Sequence, residues 1–429
     1  MKKHLVVIGG GAAGFFCAIN AARADRSLRV TIVEKSNKLL AKVKVSGGGR
    51  CNVTHACFDI VEMSKCYPRG QHFVKKAFHQ FFTTDTVRWF EERGVKLKTE
   101  GDGRMFPVTD SSQTIINCLL REANKFNVEI LMNREVKNLS MVNSCLPDRQ
   151  GEWSIAFSNS EKLFANFVCV ASGGYPKSSM FDWLKELGHT IEEPVPSLFT
   201  FNLPSHPITK LMGVSVEKAK VKILPMAIGT KLEQEGPLLI THWGLSGPAV
   251  LRLSAWGARE LKIKNYELKI IINWLLDYDE ESLRKKFREL RNFSSSQKVI
   301  NKNSFKLPSR LWEFLAEQSG IKNEWRWADL PSTEQNRFIK NLCSYECEVK
   351  GKTTFKEEFV TAGGIKLNEV DANTMMSKKN PNLFFAGEVL DVDGITGGFN
   401  FQHAWTTGWV AAKAISSIAN GESGMVNEK

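Results

Sequence analysis

Three glycines and one glutamate near the start of the chain have the spacing of a dinucleotide-binding turn. Gly9, Gly11 and Gly14 form a G-x-G-x-x-G pattern, and Glu34 follows 20 residues after the last of them. The first glycine of such a turn permits a tight bend, the second lets the backbone approach a pyrophosphate, and the third lets a helix pack closely on a strand. An acidic residue at the position of Glu34 accepts hydrogen bonds from ribose hydroxyls. The pattern predicts an adenine-dinucleotide site, with a glycine turn that binds no ligand as the alternative.

A second glycine-rich segment lies at residues 46–52 and reads SGGGRCN. A simple nicotinamide-binding domain reaches its second helix quickly at this point, so a long glycine loop favours a larger, extended cofactor such as FAD. Backbone N–H groups and the Arg50 guanidinium suit a pyrophosphate or the edge of an isoalloxazine ring. This segment adds five candidate cofactor residues: Gly48, Gly49, Arg50, Cys51 and Asn52.

A third candidate segment lies near the C-terminus, where an apolar run at 383–386 precedes Gly387 and Glu388. A glycine turn then leads into a stretch with helical character, residues 403–418, that is rich in small side chains. In glutathione-reductase-like folds this order forms the second half of an FAD site. The carboxylate holds the ribityl hydroxyls, and the helix N-terminus faces the flavin N1/C2=O edge, where negative charge develops. A strand and helix that only complete the sheet are the alternative.

Short apolar runs supply the elements that must position these residues. Residues 4–8 and 28–33 are rich in β-branched side chains and predict buried parallel strands, and residues 15–24 predict a helix between them. With the C-terminal strand and helix, this pattern predicts an α/β fold in which both ends of the chain meet in one sheet.

Composition bounds the class of protein. With 429 residues, of which 42% are hydrophobic and 24% charged, the chain is neither disordered nor fibrous, and its length predicts two or three domains. Nine scattered cysteines without a Cys-x-x-Cys motif predict reduced thiols, a cytoplasmic location and no metal site. No window is long and apolar enough for a transmembrane helix, so no membrane association is expected.

The net charge of +12 is concentrated in the middle of the chain. Residues 200–340 contain 23 basic and 15 acidic side chains, a net charge of +8. Such a segment favours an anionic substrate or a polyanion such as RNA. A basic face that only contacts solvent is the alternative.

Six sequence blocks resemble those of the BaiN/RdsA-type NAD(P)/FAD-dependent oxidoreductases, which are glutathione-reductase-like flavoproteins with a related branch of aminoacetone oxidases. The blocks span both ends and the middle of the chain: VVIGGGAAG (6–14), KVSGGGRCNVT (44–54), GRMFPVTDSS (103–112), ASGGYPKSS (171–179), THWGLSGPAVLRLS (241–254) and GEVLDVDGITGGFNFQHAWTTG (387–408).

The resemblance implies a glutathione-reductase-like FAD-binding Rossmann domain with an inserted β-barrel-like domain that carries a small helical insert. The implied domain bounds are 1–195 and 355–429 for the FAD-binding domain, 196–275 and 345–354 for the barrel-like insert, and 276–344 for the helical insert. Periodicity agrees with this division, since residues 267–275 predict a strand. Residues 280–290, 310–320 and 331–343 predict helices.

The resemblance also implies cofactor positions beyond the glycine patterns. Ala13 lies in the first matching block, and Lys35 directly follows Glu34. Val136 matches the position whose backbone meets the adenine. Ala171 and Gly173 match a chain crossing near the cofactor. The flavin-side segment matches at Gly387, Glu388, Asp391, Gly398, Phe399, Asn400 and Phe401.

The activities of the family imply reduction of an activated C=C bond. The first candidate substrate is a small steroid- or enone-like molecule, and a uracil base of ribosomal RNA, which would become dihydrouridine, is the alternative. A flavin amine oxidase and a non-catalytic flavoprotein are further alternatives. Because the sequence contains one dinucleotide fingerprint, NAD(P)H is a candidate transient electron donor. The sequence leaves the oligomeric state open.

Reduction of an activated C=C bond needs a general acid that protonates the α-carbon. His242 lies in one of the family blocks, His403 begins the C-terminal helical stretch, and Cys51 follows Arg50, which could activate its thiol. Each candidate also has an ordinary structural explanation. His242 could be a hydrogen-bonded structural histidine, His403 could support the helix, and Cys51 could be a small packing residue.

Overall fold

A computed structural model describes residues 2–142, 151–224, 232–353 and 360–421 of the chain. The chain divides into two compact units: Met1–Pro196 with Lys356–Lys429, and Ser197–Phe355. The predicted boundary between the barrel-like and helical inserts stays a prediction, and the predicted boundary at 354/355 lies outside the described residues. Among the described residues, every helix is too short or too polar to cross a lipid bilayer.

The elements are numbered in chain order over the described residues. The strands are β1 (His4–Ile8), β2 (Arg29–Val33), β3 (Thr54–His55), β4 (Leu97–Thr99), β5 (Arg104–Pro107), β6 (Glu129–Leu131), β7 (Val136–Met141), β8 (Trp153–Phe157), β9 (Lys162–Ala165), β10 (Phe167–Val170), β11 (Ile191–Ser197), β12 (Thr200–Asn202), β13 (Ser215–Ile223), β14 (Glu233–Ile240), β15 (Gly244–Ser246), β16 (Glu267–Asn273), β17 (Tyr345–Lys350), β18 (Lys352–Thr353), β19 (Val360–Ile365) and β20 (Leu383–Phe385). The α-helices are α1 (Ala12–Ala24), α2 (Ala41–Gly49), α3 (Ile60–Ser64), α4 (Gln71–Phe78), α5 (Thr83–Glu91), α6 (Ser112–Lys125), α7 (Asp182–Lys185), α8 (Pro248–Trp256), α9 (Ala258–Ile263), α10 (Glu280–Phe293), α11 (Ser309–Gln318), α12 (Ser332–Cys343) and α13 (Phe399–Ala419). Short 3-10 turns span Ser178–Phe181, Pro207–Leu211, Leu367–Glu369 and Gly387–Val389.

The first unit is built on a parallel sheet with strand order β20-β10-β1-β2-β6. All five residues of β1 are buried, as expected for a central parallel strand that is covered on both faces. β1 pairs with β2 in a register that places Val7 opposite Ile32. The strands predicted at 4–8, 28–33 and 383–386 are present as β1, β2 and β20, each within one residue of its predicted bounds. The expected α/β fold class is confirmed.

Helices from opposite ends of the chain pack together in this unit. α1 and α13 begin three and four residues earlier than the sequence predicted, because each starts directly after a glycine N-cap, Gly11 or Gly398. A Cβ on Gly408 would lie 2.7 Å from the carbonyl oxygen of Ala13, so glycine at this position permits the close approach of α13 to α1. This contact brings the predicted first and second halves of the cofactor site together.

The second unit is built on an antiparallel sheet with strand order β17-β16-β13-β14-β15-β12-β18. β17 alternates buried and exposed residues along its whole length, which is the pattern of a strand with one face on the core. The strand predicted at 267–275 is present as β16. The helices predicted at 280–290, 310–320 and 331–343 are present as α10, α11 and α12.

Aromatic side chains form the core of the helical part of the second unit. The rings of Phe287 and Trp327 are 5.0 Å apart, and those of Trp312 and Phe338 are 4.7 Å apart. All four side chains are fully buried. These tryptophans and phenylalanines are therefore part of the core.

A buried carboxylate in the first unit is held by three neighbours. Glu369 accepts hydrogen bonds from Lys379 Nζ at 2.6 Å and from the Thr190 N–H at 2.9 Å, and its other contact is the His189 ring at 3.1 Å. Burial alone raises the pKa of Glu369, but these hydrogen bonds outweigh burial and hold the pKa at about 2. A depressed carboxyl pKa stabilises the fold above the unfolded pKa of about 4.3, and this stabilisation is lost as the pH falls toward 2.

We expect Glu369→Gln to lower the free energy of unfolding at pH 7 by about 3 kcal/mol, since a shift of one pKa unit corresponds to about 1.4 kcal/mol. The difference from wild type should shrink as the pH falls from about 4.5 to about 2. Urea unfolding curves across this pH range measure the difference, with Glu91→Gln, an exposed glutamate of α5, as the matched control. A difference that persists unchanged at pH 2 would contradict this account.

Candidate cofactor-binding site

The glycine turn after β1 has the conformation that the sequence predicts. Gly9 has φ +114°, and its N–H donates to the Val33 carbonyl at 2.8 Å. A Cβ on Gly9 would lie 2.3 Å from the Ala171 carbonyl oxygen, and a Cβ on Gly14 would lie 2.0 Å from the Gly9 carbonyl oxygen. Both glycines are therefore required by the fold itself, because any side chain would collide with backbone.

Gly11 differs from its two neighbours in the pattern. A Cβ on Gly11 would meet no described atom within 4 Å, and its φ of −96° is open to any residue. Neither packing nor backbone conformation in the described residues requires glycine here. The space beside Gly11 fits a group that approaches the backbone closely, which is the role of the second glycine in a pyrophosphate-binding turn.

The N-terminus of α1 presents donors to the same region. Gly11 is the N-cap, no side chain of the described residues caps the helix, and its first turn contains no acidic residue. The first intrahelical hydrogen bond is the one from Phe15 N–H to the Gly11 carbonyl, at 3.0 Å. The preceding N–H groups and the positive end of the helix dipole thus suit a phosphate anion.

Glu34 is tied to the turn by both carboxylate oxygens. Oε2 accepts from the Gly10 N–H at 2.9 Å, and Oε1 accepts from the N–H and hydroxyl of Ser36, both at 2.9 Å. A carboxylate has about four acceptor positions, so capacity for a ribose hydroxyl remains. The adjacent Lys35 is exposed, and its Nζ lies 5.8 Å from the centre of the Tyr175 ring.

The second glycine segment forms an irregular end to α2. Ser46 is extended, and Gly48 and Gly49 have φ values of +69° and +84°, which favour glycine. A Cβ on either glycine would meet no described atom within 4 Å, so this backbone also permits close approach. Arg50, by contrast, is engaged by the protein: Nη1 lies 2.6 Å from Glu100, and the guanidinium lies over the Phe106 ring at 4.0 Å. Its predicted contact with the cofactor stays a prediction.

Asn52 connects this segment to the start of α13. With its amide oriented to satisfy both polar atoms, the oxygen accepts from the Gly398 N–H and the nitrogen donates to the Thr54 carbonyl, both at 2.9 Å. A Cβ on Gly398 would lie 2.5 Å from the Thr54 carbonyl oxygen. The two predicted cofactor segments therefore meet at this point.

The flavin-side segment meets the first glycine turn through Gly387. A Cβ on Gly387 would lie 2.8 Å from the Ala13 side chain, and the Gly387 N–H donates to Thr407 Oγ1 at 2.9 Å. Glu388 pairs with Lys42 at 2.6 Å and accepts from the Thr361 N–H at 2.8 Å. Both of these contacts are with the protein. The predicted role of Glu388 toward the ribityl hydroxyls stays a prediction.

The start of α13 resembles the start of α1. Its N-cap, Gly398, has no side chain that could cap the first turn, and that turn contains no acidic residue. Phe399 is buried, and Asn400 makes two hydrogen bonds of 2.8 Å with the backbone of Gly394. Phe401 stacks on Trp405 with ring centres 5.7 Å apart. The helix therefore offers N–H groups at a rigid, packed terminus.

Of the four remaining predicted cofactor residues, Ala171, Gly173 and Val136 lie at or just beyond the ends of strands. Ala171 follows β10 and donates to the Ile8 carbonyl at 2.8 Å, so it lies directly against the glycine turn. Gly173 has φ +76°, and a Cβ on it would meet no described atom within 4 Å. Val136 is the first residue of β7. The Asp391 N–H donates to the carbonyl of Ile365, the last residue of β19, at 3.1 Å. Their contacts with a cofactor stay predictions.

Two of the three candidate acids are buried and unsuited to exchange protons with a substrate near neutral pH. Burial raises the pKa of the Cys51 thiol to about 12, which does not fit a thiol activated by Arg50. Burial lowers the pKa of His403 to about 4, although a contact of 3.2 Å between Nε2 and the Gly387 carbonyl opposes this. His403 therefore supports the backbone at Gly387. His242 is exposed beside Trp243 in the second unit, and its role stays a prediction.

The structure reveals two supporting contacts that sequence reasoning missed. His55 Nδ1 lies 2.9 Å from the Gly397 carbonyl, and its ring stacks on Phe399 at 4.7 Å. Arg69 forms an ion pair with Asp393, which is fully buried. His55 directly follows the block at 44–54, and that adjacency is the sequence signal that could have identified it.

The arrangement fits an extended dinucleotide. Open backbone at Gly11 lies at one uncapped helix N-terminus, and a second uncapped N-terminus lies at Gly398. The contacts of Ala13 with Gly387 and of Asn52 with Gly398 bring the two predicted halves together. Such a pair of helix ends can hold a pyrophosphate at α1 and stabilise negative charge on a flavin at α13.

Comparisons with known proteins agree with this geometry. A family model for the HI0933-like protein Rossmann domain matches residues 3–414. The chain is 28% identical over 426 residues to a 3-dehydro-bile acid delta(4,6)-reductase of Clostridium scindens, with 96% of this chain and 99% of that protein covered. It is 30% identical over 417 residues to a ribosomal RNA dihydrouridine synthase of Escherichia coli, with 96% and 97% covered. A flavocytochrome c3 fumarate reductase in its open conformation has a TM-score of 0.50 at 17% identity, over 97% of this chain and 79% of that one, which shows the fold.

We expect Gly11→Ala to abolish retention of FAD through purification, because the new methyl group would occupy the space that the pyrophosphate needs. The free energy of unfolding of the apoprotein should change by no more than about 1 kcal/mol, since alanine is only a poorer N-cap than glycine. The flavin absorbance of the purified protein and urea unfolding of the apoprotein measure the two effects.

Two matched variants control for this prediction. Gly101→Ala also adds a methyl group in open space, but outside the site, and should keep its FAD. Gly14→Ala should instead lower the free energy of unfolding by about 1–3 kcal/mol through its collision with Gly9. Normal flavin content in Gly11→Ala would refute the assignment of the pyrophosphate to this turn.

Proposed function

The chain belongs to the HI0933-like Rossmann family, and from that premise we propose that this FAD-dependent oxidoreductase reduces a C=C bond conjugated to a carbonyl group. The family match confirms the resemblance that the sequence blocks indicated. The observation that carries the proposal is the pair of uncapped helix N-termini at α1 and α13, with backbone at Gly11 that is open to a ligand.

The two named relatives support this bond type. One is named as a reductase of the delta(4,6) double bonds of a 3-dehydro-bile acid, and the other as a synthase of dihydrouridine in ribosomal RNA. A steroid enone and a uracil ring both contain a C=C bond conjugated to a carbonyl. The carbonyl makes the β-carbon electrophilic, so both reductions use the same chemistry.

The residues of the chain would position the cofactor and set its electrostatic environment. FAD supplies the hydride for such a reduction when it is bound. The α1 N-terminus binds phosphate, Glu34 binds ribose, and the α13 N-terminus places N–H dipoles where negative charge develops. His403 and Asn52 contact the backbone that leads to this terminus, at Gly387 and Gly398 respectively.

The reaction also consumes a proton at the α-carbon. His403 is buried, and Cys51 is buried with a raised pKa, so neither is our candidate for the donor. His242 is the exposed member of the three predicted acids. We retain it as the candidate proton donor.

Our first candidate substrate is a small enone-like molecule such as a steroid, with NAD(P)H as the transient electron donor. The similarity to the bile acid reductase covers nearly the whole of both chains, which supports this choice. Reduced cysteines without a metal-binding motif favour the cytoplasm as the location.

A uracil base in ribosomal RNA is the second candidate substrate. The specific observation that favours it is the net charge of +8 in residues 200–340, because contacts with many phosphates require such an excess. The similarity to the dihydrouridine synthase is of the same extent as that to the bile acid reductase.

Anaerobic stopped-flow mixing of the FAD-loaded protein with NADH or NADPH tests the proposal. We expect one nucleotide to bleach the flavin absorbance, and a steroid dienone to restore it without oxygen. A saturated steroid ketone of the same skeleton is the matched control and should restore nothing, because it lacks the C=C bond. Unmodified ribosomal RNA in place of the dienone tests the second candidate.

The outcomes separate the candidate functions. Reoxidation by RNA but not by the dienone would select the second substrate. Bleaching by amines and by neither nucleotide would contradict the proposal and support an amine oxidase. Bleaching without reoxidation by either acceptor would contradict reduction of a conjugated C=C bond.

A further inference from the structure

The charge excess of the second unit is concentrated in one short stretch. Residues 284–310 contain a single acidic side chain, Glu289, and have a net charge of +8. This value equals the net charge of the whole segment 200–340. Its nine basic residues are Arg284, Lys285, Lys286, Arg288, Arg291, Lys298, Lys302, Lys306 and Arg310. The stretch comprises most of α10, the following loop and the start of α11.

Only part of this charge is used within the protein. Arg284 pairs with Glu280 at 3.5 Å, and Lys286 holds Glu289 at 2.8 Å. Arg291 and Arg310 donate to backbone carbonyls. The other five basic side chains form no ion pair with any described residue, and four of these five are exposed.

Two like charges face each other at the base of the loop. Lys298 and Arg326 are partners in an antiparallel bridge, flanked by the hydrogen bonds of Val299 N–H to Trp325 and of Trp327 N–H to Gln297, both at 3.0 Å. Both side chains are exposed. Like charges opposite each other on paired strands destabilise the pairing, and an anion between them would remove this cost.

An aromatic ring at the edge of this charge is left out of the core. Phe293, the last residue of α10, is 88% exposed, whereas Phe287 on the same helix is fully buried. A turn from Ser294 to Gln297, closed by a 2.9 Å hydrogen bond, leads directly from Phe293 to Lys298. A free aromatic face beside unpaired cations is the combination that binds single-stranded nucleic acid.

We propose that Phe293, Lys285, Arg288, Lys298, Lys302 and Arg326 form a binding surface for single-stranded RNA. The cations contact phosphates, and an unpaired base stacks on Phe293. The inference rests on the second candidate function, in which RNA is the substrate, and it assigns to this surface the docking of the strand that carries the target base.

RNA fits this surface better than an anionic membrane. The apolar side of α10, formed by Leu283, Phe287 and Leu290, is buried in the second unit. Phe293 is therefore a single exposed ring and not part of an apolar helix face. Stable insertion of a helix into a membrane interface requires such a face, whereas stacking of a base requires one ring.

Fluorescence anisotropy with a labelled, uridine-rich single-stranded RNA tests the surface on the FAD-loaded protein over a range of salt concentrations. We expect the double variant Lys298→Ala/Arg326→Ala to weaken binding at least tenfold and to reduce the slope of log K against log salt by about 1.4, or 0.7 for each lost phosphate contact. Phe293→Ala should weaken binding by about tenfold and leave the slope unchanged, because stacking releases no counterions.

Matched controls come from the same unit. Lys218→Ala/Lys264→Ala removes the same charge from exposed positions outside the surface, and Ile263→Ala removes another apolar side chain that is 82% exposed. Both controls should bind RNA within about twofold of wild type. Equal weakening by the control pair and the Lys298/Arg326 pair would overturn the proposal, since binding would then depend on net charge alone.

Further outcomes distinguish this inference from the proposed function. Phosphatidylserine vesicles are the second probe, and loss of vesicle binding in Phe293→Ala with unchanged RNA binding would overturn the proposal in favour of a membrane surface. Absence of RNA binding by the wild-type protein would also overturn it. Nicotinamide bleaching and dienone reduction, measured on the same samples, would then show whether the reductase proposal survives.

Discussion

The close contact between helix α1 and the turn at Gly9 is the constraint on which the rest of the first unit depends. A Cβ at Gly14 would lie 2.0 Å from the Gly9 carbonyl oxygen, so only glycine lets the helix begin this close to the end of β1. Because the helix begins there, its first N–H groups lie beside the open backbone of Gly11. Because the turn is this tight, Gly9 also lies against Ala171 of the neighbouring strand end. Packing and ligand chemistry therefore make separate demands on the glycines of one short pattern.

The second half of the site depends on a contact between the two ends of the chain. Gly408 lets α13 approach Ala13, and Lys3 donates to the Ala419 carbonyl at 2.8 Å. Two helix N-termini, one from each end of the chain, are then held in the same unit, and Asn52 and His403 fix the backbone around the second. Helix dipoles and backbone N–H groups that are rigid before the reaction stabilise developing charge without reorganisation, which is the physical basis for assigning reductive flavin chemistry to this fold.

Local sequence patterns predicted the strands, the helices and the glycine turn well. They did not predict the burial, the pKa or the contacts of individual side chains. β1, β2 and α1 follow from runs of a few residues, and the reasons for Gly9 and Gly14 are local to the turn. The burial of Cys51 and His403 depends on how the folded elements pack, so their shifted pKa values could not be inferred from the motifs that contain them. Arg50 pairs with Glu100, 50 residues away in sequence, so this contact also could not be inferred from the motif that contains Arg50. Likewise, Phe293 is exposed and Phe287 is buried, although both lie on α10, so this difference could not be inferred from the sequence.

A crystal structure of the protein with FAD bound tests the central claim most directly, because that claim is a statement about position. The account predicts the pyrophosphate within hydrogen-bond distance of the first N–H groups of α1, beside Gly11. It also predicts the flavin N1/C2=O edge at the first N–H groups of α13, beyond Gly398. A pyrophosphate held elsewhere, or a flavin that contacts only one of the two helix ends, would contradict it.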